Sequence, residues 1–434
     1  MKFGILMHKN TQNIGDDIQS FAAANLLPSV DYFLDRETMD TFKTEDGKPV
    51  AVVMSAWYMW SKWNWPPSKY IVPLYVGMHW ADHQVAQQDG SPIKTEFLHG
   101  IGGEYLNVYG PIGCRDLFTL NTFKDIGIDS YFSGCITLTL PKMPIKKPEQ
   151  EYICIVDIGK DLIDHAKELL KGTGIAVKVV KHYKDYRNSD ATWEERKKAV
   201  TDLLTIYQNA KCVITRRLHC ALPCLAMEVP VLLINSRKPA ATSRFEPYFD
   251  WIHNCKREAF LDDSCGYDIA NPPPNNGKHI ETRNQLIRTV EEFVEKYKDA
   301  DGSCDDFNRL KYSDEEIMKW RHDTMKSVMY DWLMYTRKDF QTIKKLNTQL
   351  ENSEERFKKE RETLDGEIAS LKKEITSLKK QADTLKGDKS QLEADNSKLK
   401  AANDRYVKIL NCRPVKTTIK LRNAFLSDNK KIKL

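Results

Sequence analysis

From Ile343 to Tyr406 an apolar or aromatic side chain returns at every seventh position: Ile343, Leu350, Phe357, Leu364, Leu371, Leu378, Leu385, Leu392, Leu399 and Tyr406. Such a period leaves the chain little choice, because only a helix supercoiled around a partner keeps that stripe on one buried face. The companion positions hold Ile368, Ile375, Ala382, Lys389, Asn396 and Asn403. Leucine at one seam position, with isolated Asn and Lys at the other, favours a parallel two-stranded coil over a trimer. A lone charged helix would leave the stripe facing water. Residues 341–408 are therefore expected to form a parallel coiled coil that makes the chain a homodimer.

The first 300 residues follow another rhythm. Short β-branched runs at Lys2–His8, Val50–Ser55, Tyr70–Gly77 and Tyr105–Tyr109 read as strands, with helices near 16–26 and 117–126. After the Pro-rich stretch Pro141–Pro148 a second series begins. Strands at Tyr152–Asp157, Ala176–His182, Cys212–Thr215 and Pro230–Ile234 alternate with helices at Asp161–Leu170, Thr192–Ala210 and Ala221–Met227. One more amphipathic helix covers Thr282–Asp299. Alternation of this kind predicts an α/β fold with parallel sheets built from βαβ units. The expected architecture is two Rossmann-like domains, 1–145 and 146–300, facing one cleft. A helical connector (301–340), the coiled coil and a tail (409–434) follow.

Charge sharpens this division. The net charge is +5, yet residues 411–434 hold seven Lys or Arg against the single acid Asp428. The excess lies in the tail rather than on a folded face, so nucleic acid is not an expected partner. Ile419, Leu421, Phe425, Leu426 and Ile432 alternate with the tail's lysines, which suits an anionic membrane surface. No run approaches the ~20 apolar residues of a membrane span, and the first residues enter a strand rather than a leader. Ten cysteines without C-x-x-C pairs read as reduced thiols. The expected location is cytoplasmic, peripheral at the inner membrane face.

Chemistry concentrates in a few places. Cys212-Val-Ile-Thr-Arg-Arg-Leu-His219 takes a strand straight into Arg216, Arg217 and His219 before a helical stretch. Strand ends and helix N-termini attract anions in such folds. Asn13-Ile-Gly-Asp16-Asp17 opens a helix after the first strand, where the acids either cap the helix or contact sugar hydroxyls. The segment Trp57–Pro67 carries four tryptophans, suited to stacking on sugar rings or to a core. Arg115 and Asp116 sit at another strand-to-helix turn, and Ser133-Gly-Cys135 offers small residues where a ligand can approach. His79 and His99 are isolated histidines whose first reading is structural. Neither a phosphate-binding glycine loop nor H-E-x-x-H is present, so no nucleotide loop, cofactor or metal site is expected.

Together these pieces resemble the polysaccharide pyruvyl transferase family. The matches are Asn13-x-Gly15-Asp16-Asp17, Trp57-Tyr-Met with Trp65-Pro-Pro-Ser68, Gly77-x-His79, and Gly110-Pro-Ile-Gly-Cys-Arg115-Asp116 with Thr119. Ser133-Gly-Cys135 through Leu140 and Thr215-Arg-Arg217-Leu-His219 complete them, within about residues 1–255. The resemblance implies a GT-B-like fold, a phosphoenolpyruvate donor, and transfer of its pyruvyl group to a sugar of a polysaccharide or lipid-linked precursor as a cyclic ketal. It implies that Arg217, Leu218 and His219 serve donor binding and catalysis.

A donor with a phosphate and a carboxylate needs two cationic contacts, here Arg217 and Arg115, with Arg216 and Arg244 in reserve. His219 is expected to be the general acid, Asp16 or Asp17 the base. Asn13, Ser133, Trp57 and His79 are expected to contact substrate. A nucleotide-sugar glycosyltransferase is one alternative, lacking an identifiable nucleobase contact. A non-catalytic coiled-coil assembly protein with a degenerate transferase domain is the other.

Overall fold

A computed structural model describes residues 1–59, 64–80, 95–145, 148–187, 189–235 and 244–330. From the C-terminal part it describes 348–349, 351–353, 355–359, 361, 399–405, 407–408, 417–418 and 422. Strands β1 (Lys2–Met7), β2 (Tyr32–Asp35), β3 (Val50–Met54) and β5 (Ile71–Tyr75) form a parallel sheet in the order β2-β1-β3-β5. A second parallel sheet runs β10-β9-β11-β12-β13, from β9 (Tyr152–Val156), β10 (Ala176–Val180), β11 (Val213–Thr215), β12 (Val231–Asn235) and β13 (His253–Lys256). The fold is α/β with parallel sheets. Two-stranded pairs β4 (Trp57–Tyr58) with β6 (His79–Trp80), and β7 (Ile112–Cys114) with β8 (Ser130–Phe132), extend the first half.

Both sheets reverse direction beside their first strand, between β1 and β3 and between β9 and β11. At such a switch point neighbouring crossovers lie on opposite faces, leaving a crevice at the strand ends. β3 and β9 are buried along their whole length, as strands covered on both faces must be. One hydrophobic cluster joins Ile5 and Val53 of the first sheet, through Ile18 and Phe21, to Leu222, Val156 and Val213 of the second. The helix Trp193–Gln208 starts where a Thr192 and Glu195 capping box satisfies its first N–H groups, and it brings Arg196 onto the β1 loop.

The chain then returns to the first half. In the helix Ile280–Tyr297, Phe293 and Tyr297 pack against Phe3, Ala51 and Val72. The segment beyond it adds Leu310 and Val328 to the first sheet's other core, while Arg321 bonds the carbonyls of Trp65 and Pro66. Residues 301–328, expected as a connector, are thus part of that core.

One expected strand is a helix. Residues 105–109 belong to the helix Ile101–Tyr109, whose Ile101, Tyr105, Leu106 and Tyr109 are buried. Aromatic and β-branched residues suggested a strand, but tertiary packing decides. A Cβ on Gly102 would come within 2.7 Å of Trp320, so the glycine lets the helix settle against that indole. The helix after β11 begins at Leu218 rather than Ala221, which puts His219 in its first turn.

Most of the expected coiled coil (341–408) and tail (409–434) lies outside the described residues. Those that are described there are helical, and Phe357 and Leu399 of the heptad stripe are exposed. Among the described residues no helix is long and apolar enough to cross a membrane.

Candidate active site

The turn after β1 carries His8 and leads into the helix Ile14–Ala24. Its cap is Asn13, whose Oδ1 accepts from the Gly15 N–H at 3.1 Å, so neither aspartate is the cap. The two acids then part company. Asp16 is partly exposed and accepts hydrogen bonds from the Thr11 hydroxyl at 2.6 Å and the Asn13 amide at 3.3 Å. Burial alone would raise its carboxyl, but His8, Arg36, Thr11 and Arg115 reverse this and hold it below the ordinary carboxylate value. Asp17 turns inward to a buried ion pair with Arg196 at 3.0 Å. Burial still pushes its carboxyl up to about 6 against the pull of Arg196.

Arg196 does more than neutralise Asp17. Its guanidinium also donates to the carbonyls of His8 at 3.1 Å and Lys9 at 2.9 Å, and it lies over the Tyr186 ring. A helix of the second half thus fixes the loop that presents His8 and Asp16. Sequence reasoning missed Arg196 because no motif marks a partner that lies far away in the chain.

Arg115 is 2% exposed, and its Nη1 donates to Gln19 Oε1 at 2.6 Å. Among the described residues it has no carboxylate within ion-pair distance. The Tyr248 hydroxyl donates to its carbonyl at 2.5 Å, holding the turn in place. A buried guanidinium supported by one amide is a costly arrangement unless an anion completes it.

Arg217 is different. Its Nε donates to Asp157 at 2.8 Å, and its side chain is 41% exposed. Asp157, at φ +53°, also accepts the backbone N–H of His182 at 3.3 Å. Arg216 is exposed. His219 is buried against Gly15, where an added Cβ would come within 2.8 Å of both its Cβ and Nδ1. Its Nε2 finds no hydrogen-bond partner among the described residues. Burial first, then the charges of Arg115 and Arg244, lower its pKa well below the ordinary imidazole value. This direction favours the neutral imidazole.

Beside this cluster His79 Nδ1 lies 2.5 Å from Asp116 Oδ2, and Asp116 caps the next helix by accepting the Thr119 N–H at 2.9 Å. Burial lowers His79 to about 4 despite Asp116, while Asp116 falls to about 2 because His79 and Thr119 outweigh its own burial. The Trp57 ring meets His79 edge to face at 4.4 Å, and the Arg244 guanidinium lies 4.4 Å from the Trp57 ring centre. Trp65 instead belongs to the core, packed among Tyr58, Tyr75, Trp80 and Tyr105. Trp60 and Trp63 lie outside the described residues.

Ser133 is set apart. Its hydroxyl accepts the Gly77 N–H at 2.9 Å and lies 3.0 Å from the Gly134 carbonyl, so it ties backbone together. It also lines a separate recess of about 220 Å³ with Thr282 and Gln285. No group of three His, Cys, Asp or Glu among the described residues is arranged to hold a metal.

Residues 13–238 match the protein family described as Polysaccharide pyruvyl transferase. No curated protein matches the chain. Among solved structures, an S. aureus MnaA–UDP co-structure is 9% identical, covering 70% of this chain and 100% of its own at a TM-score of 0.33. An uncharacterized protein from Klebsiella pneumoniae subsp. pneumoniae is 12% identical, covering 59% and 92% at 0.32.

Proposed function

Since the chain belongs to the polysaccharide pyruvyl transferase family, we propose that it moves the pyruvyl group of phosphoenolpyruvate onto a glycan sugar as a cyclic ketal. The observation that carries this reading is Arg115, a buried cation supported by Gln19 and set near His219 and His79. A small ligand with two anionic ends would complete it. Arg115 takes the donor carboxylate and Arg217 faces the phosphate. The free N–H groups at the start of the helix Leu218–Ala226 add to the attraction.

Ketal formation sets the proton balance. Two sugar hydroxyls each lose a proton; one ends on the donor's methylene carbon, the other on the departing phosphate. His219 delivers the first. The lowering by burial is overcome when a donor of about three negative charges enters, since nearby anions favour the imidazolium. Asp16, ionised and oriented by Thr11 and Asn13, is the base for the attacking hydroxyl. Asp17 is left to Arg196. On the acceptor side, Trp57 offers a ring face and His79 a polar contact oriented by Asp116. The two sheets would then act as the halves of a GT-B-like pair.

The heptads of 341–408 are proposed to pair two copies, and the basic tail (409–434) to hold the dimer at an anionic cytoplasmic membrane face. A chain ending before residue 341 should be monomeric with unchanged turnover. Removing 409–434 alone should abolish binding to anionic vesicles; equal binding by both forms would remove the tail's role. The activity itself is tested by acceptor-dependent phosphate release from phosphoenolpyruvate. Tight binding of a nucleoside diphosphate with no response to phosphoenolpyruvate would favour a glycosyltransferase instead.

A further inference from the structure

Two histidines that no motif marks lie beside His219. His8 follows β1 and is 2% exposed, with neither Nδ1 nor Nε2 partnered among the described residues. His182 follows β10, is also 2% exposed, and has an unpartnered Nε2. Both act electrostatically on His219, and both feel the carboxylate of Asp16. Burying a polar nitrogen without a partner forfeits its hydration and is costly. Three such nitrogens sit on two rings whose loops meet, the Tyr186 N–H donating to the Thr11 carbonyl at 3.0 Å and the Lys184 N–H to the Gln12 carbonyl at 3.2 Å.

The backbone of one residue and the ring of the other are held. The His8 carbonyl is clamped by Arg196, and His182 Nδ1 lies 3.0 Å from the Tyr207 hydroxyl. With that hydroxyl donating to Nδ1, the proton of a neutral His182 sits on Nε2, free to donate.

The geometry points to His8 and His182 as the residues that bind the donor's phosphoryl group, each giving a ring N–H to a phosphate oxygen. This rests on the pyruvyl transferase reading only for the identity of the donor; the two rings themselves suit any phosphate monoester. The surrounding charges are mixed. Asp16, Arg36, Glu37 and Arg196 act on His8, while Arg217, Asp157 and Asp16 act on His182. The carboxylates of Asp16 and Asp157 oppose an anion, and the arginines favour it. Burial outweighs the acids and lowers both rings to about 4. A phosphoryl dianion reverses that balance, so its entry should draw protons from solvent onto the imidazoles.

Calorimetric titration of the full chain with inorganic phosphate and with phosphoenolpyruvate, in buffers of different ionisation heat near neutral pH, tests this. The wild type should bind both and take up about one proton per phosphoryl group. His8→Asn and His182→Asn should each weaken binding by about 10- to 100-fold, the loss of one hydrogen bond to a charged group. Each should also lower proton uptake on binding. His165→Asn, at the remote pair with Asp263, should do neither. A purely structural role would lower the unfolding temperature of the variants while leaving affinity and uptake unchanged, and that result overturns the proposal. If His182→Asn fails to fold, His182→Gln serves the same comparison. Histidine-dependent binding of inorganic phosphate without any of phosphoenolpyruvate would keep the phosphate site and refute the pyruvyl donor. Binding of neither refutes both.

Discussion

The two halves of this molecule solve the same problem and end with opposite chemistry. Each is a parallel sheet that reverses direction beside its first strand, and each presents functional side chains at that reversal. In the first half, Asp16 after β1 stands partly exposed, while Arg115, after β7, is buried with an amide for company. In the second, Arg217 is half exposed and already paired with Asp157. The topology supplies the position, and the local partners decide how much of a cation's charge is already met within the fold. The sequence named both Arg217 and Arg115 as anion contacts, and their surroundings differ.

The comparison breaks most visibly at Arg115. Arg115→Met should slow phosphate release by about 10²–10³-fold, the usual consequence of losing a preorganised charge contact. The same change should leave unliganded stability unchanged or raised, because it removes a buried charge that lacks a carboxylate. A large drop in unfolding temperature would mean that Arg115 serves the fold. Arg196→Met should show the reverse pattern. It strands Asp17 in the interior and should cost about 3–5 kcal/mol, read from denaturant unfolding.

Acid should weaken the shared edge. His8, His79 and His182 sit at about 4 against 6.5 in an unfolded chain. The unfolded state thus binds more protons, so stability is full above pH 6.5 and lost as pH falls towards 4. Each histidine contributes on the order of 1.4 kcal/mol per pH unit across that window. Asp17, raised from 3.8 to about 6, works the other way, since its folded carboxyl takes a proton first as pH falls. Three groups against one leave a net loss, measurable as a falling midpoint between those limits. The smallest effect is expected at Gly15→Ala. The new methyl meets His219 and the Asn13 oxygen at 2.8–3.0 Å and should cost roughly 1–3 kcal/mol. Unchanged activity there would show that the contact between the halves tolerates displacement.

Much of the fold was legible because buried parallel strands are written as apolar runs: Val50–Met54 and Tyr152–Val156 could be read directly. Residues 105–109 misled because local propensity favours a strand. Their neighbours Ile101, Tyr105, Leu106 and Tyr109 in fact carry a helical spacing. Motif residues were legible as a set, yet their roles were not. Asp16 and Asp17 are adjacent and chemically alike; only the arrival of Arg196 from the other half separates them. His8, His182 and Asp157 had no motif at all, although an Asp closing a β-branched run at Tyr152–Val156 was a signal that a strand end lay there.

The central claim is that a buried, half-satisfied cation at the meeting of two strand ends awaits phosphoenolpyruvate. Calorimetric titration of the wild type and Arg115→Met with that compound tests it most directly. Saturable binding by the wild type, lost in the variant while its unfolding temperature holds or rises, is the result the account predicts. Equal binding by both proteins, or none by the wild type, would contradict it.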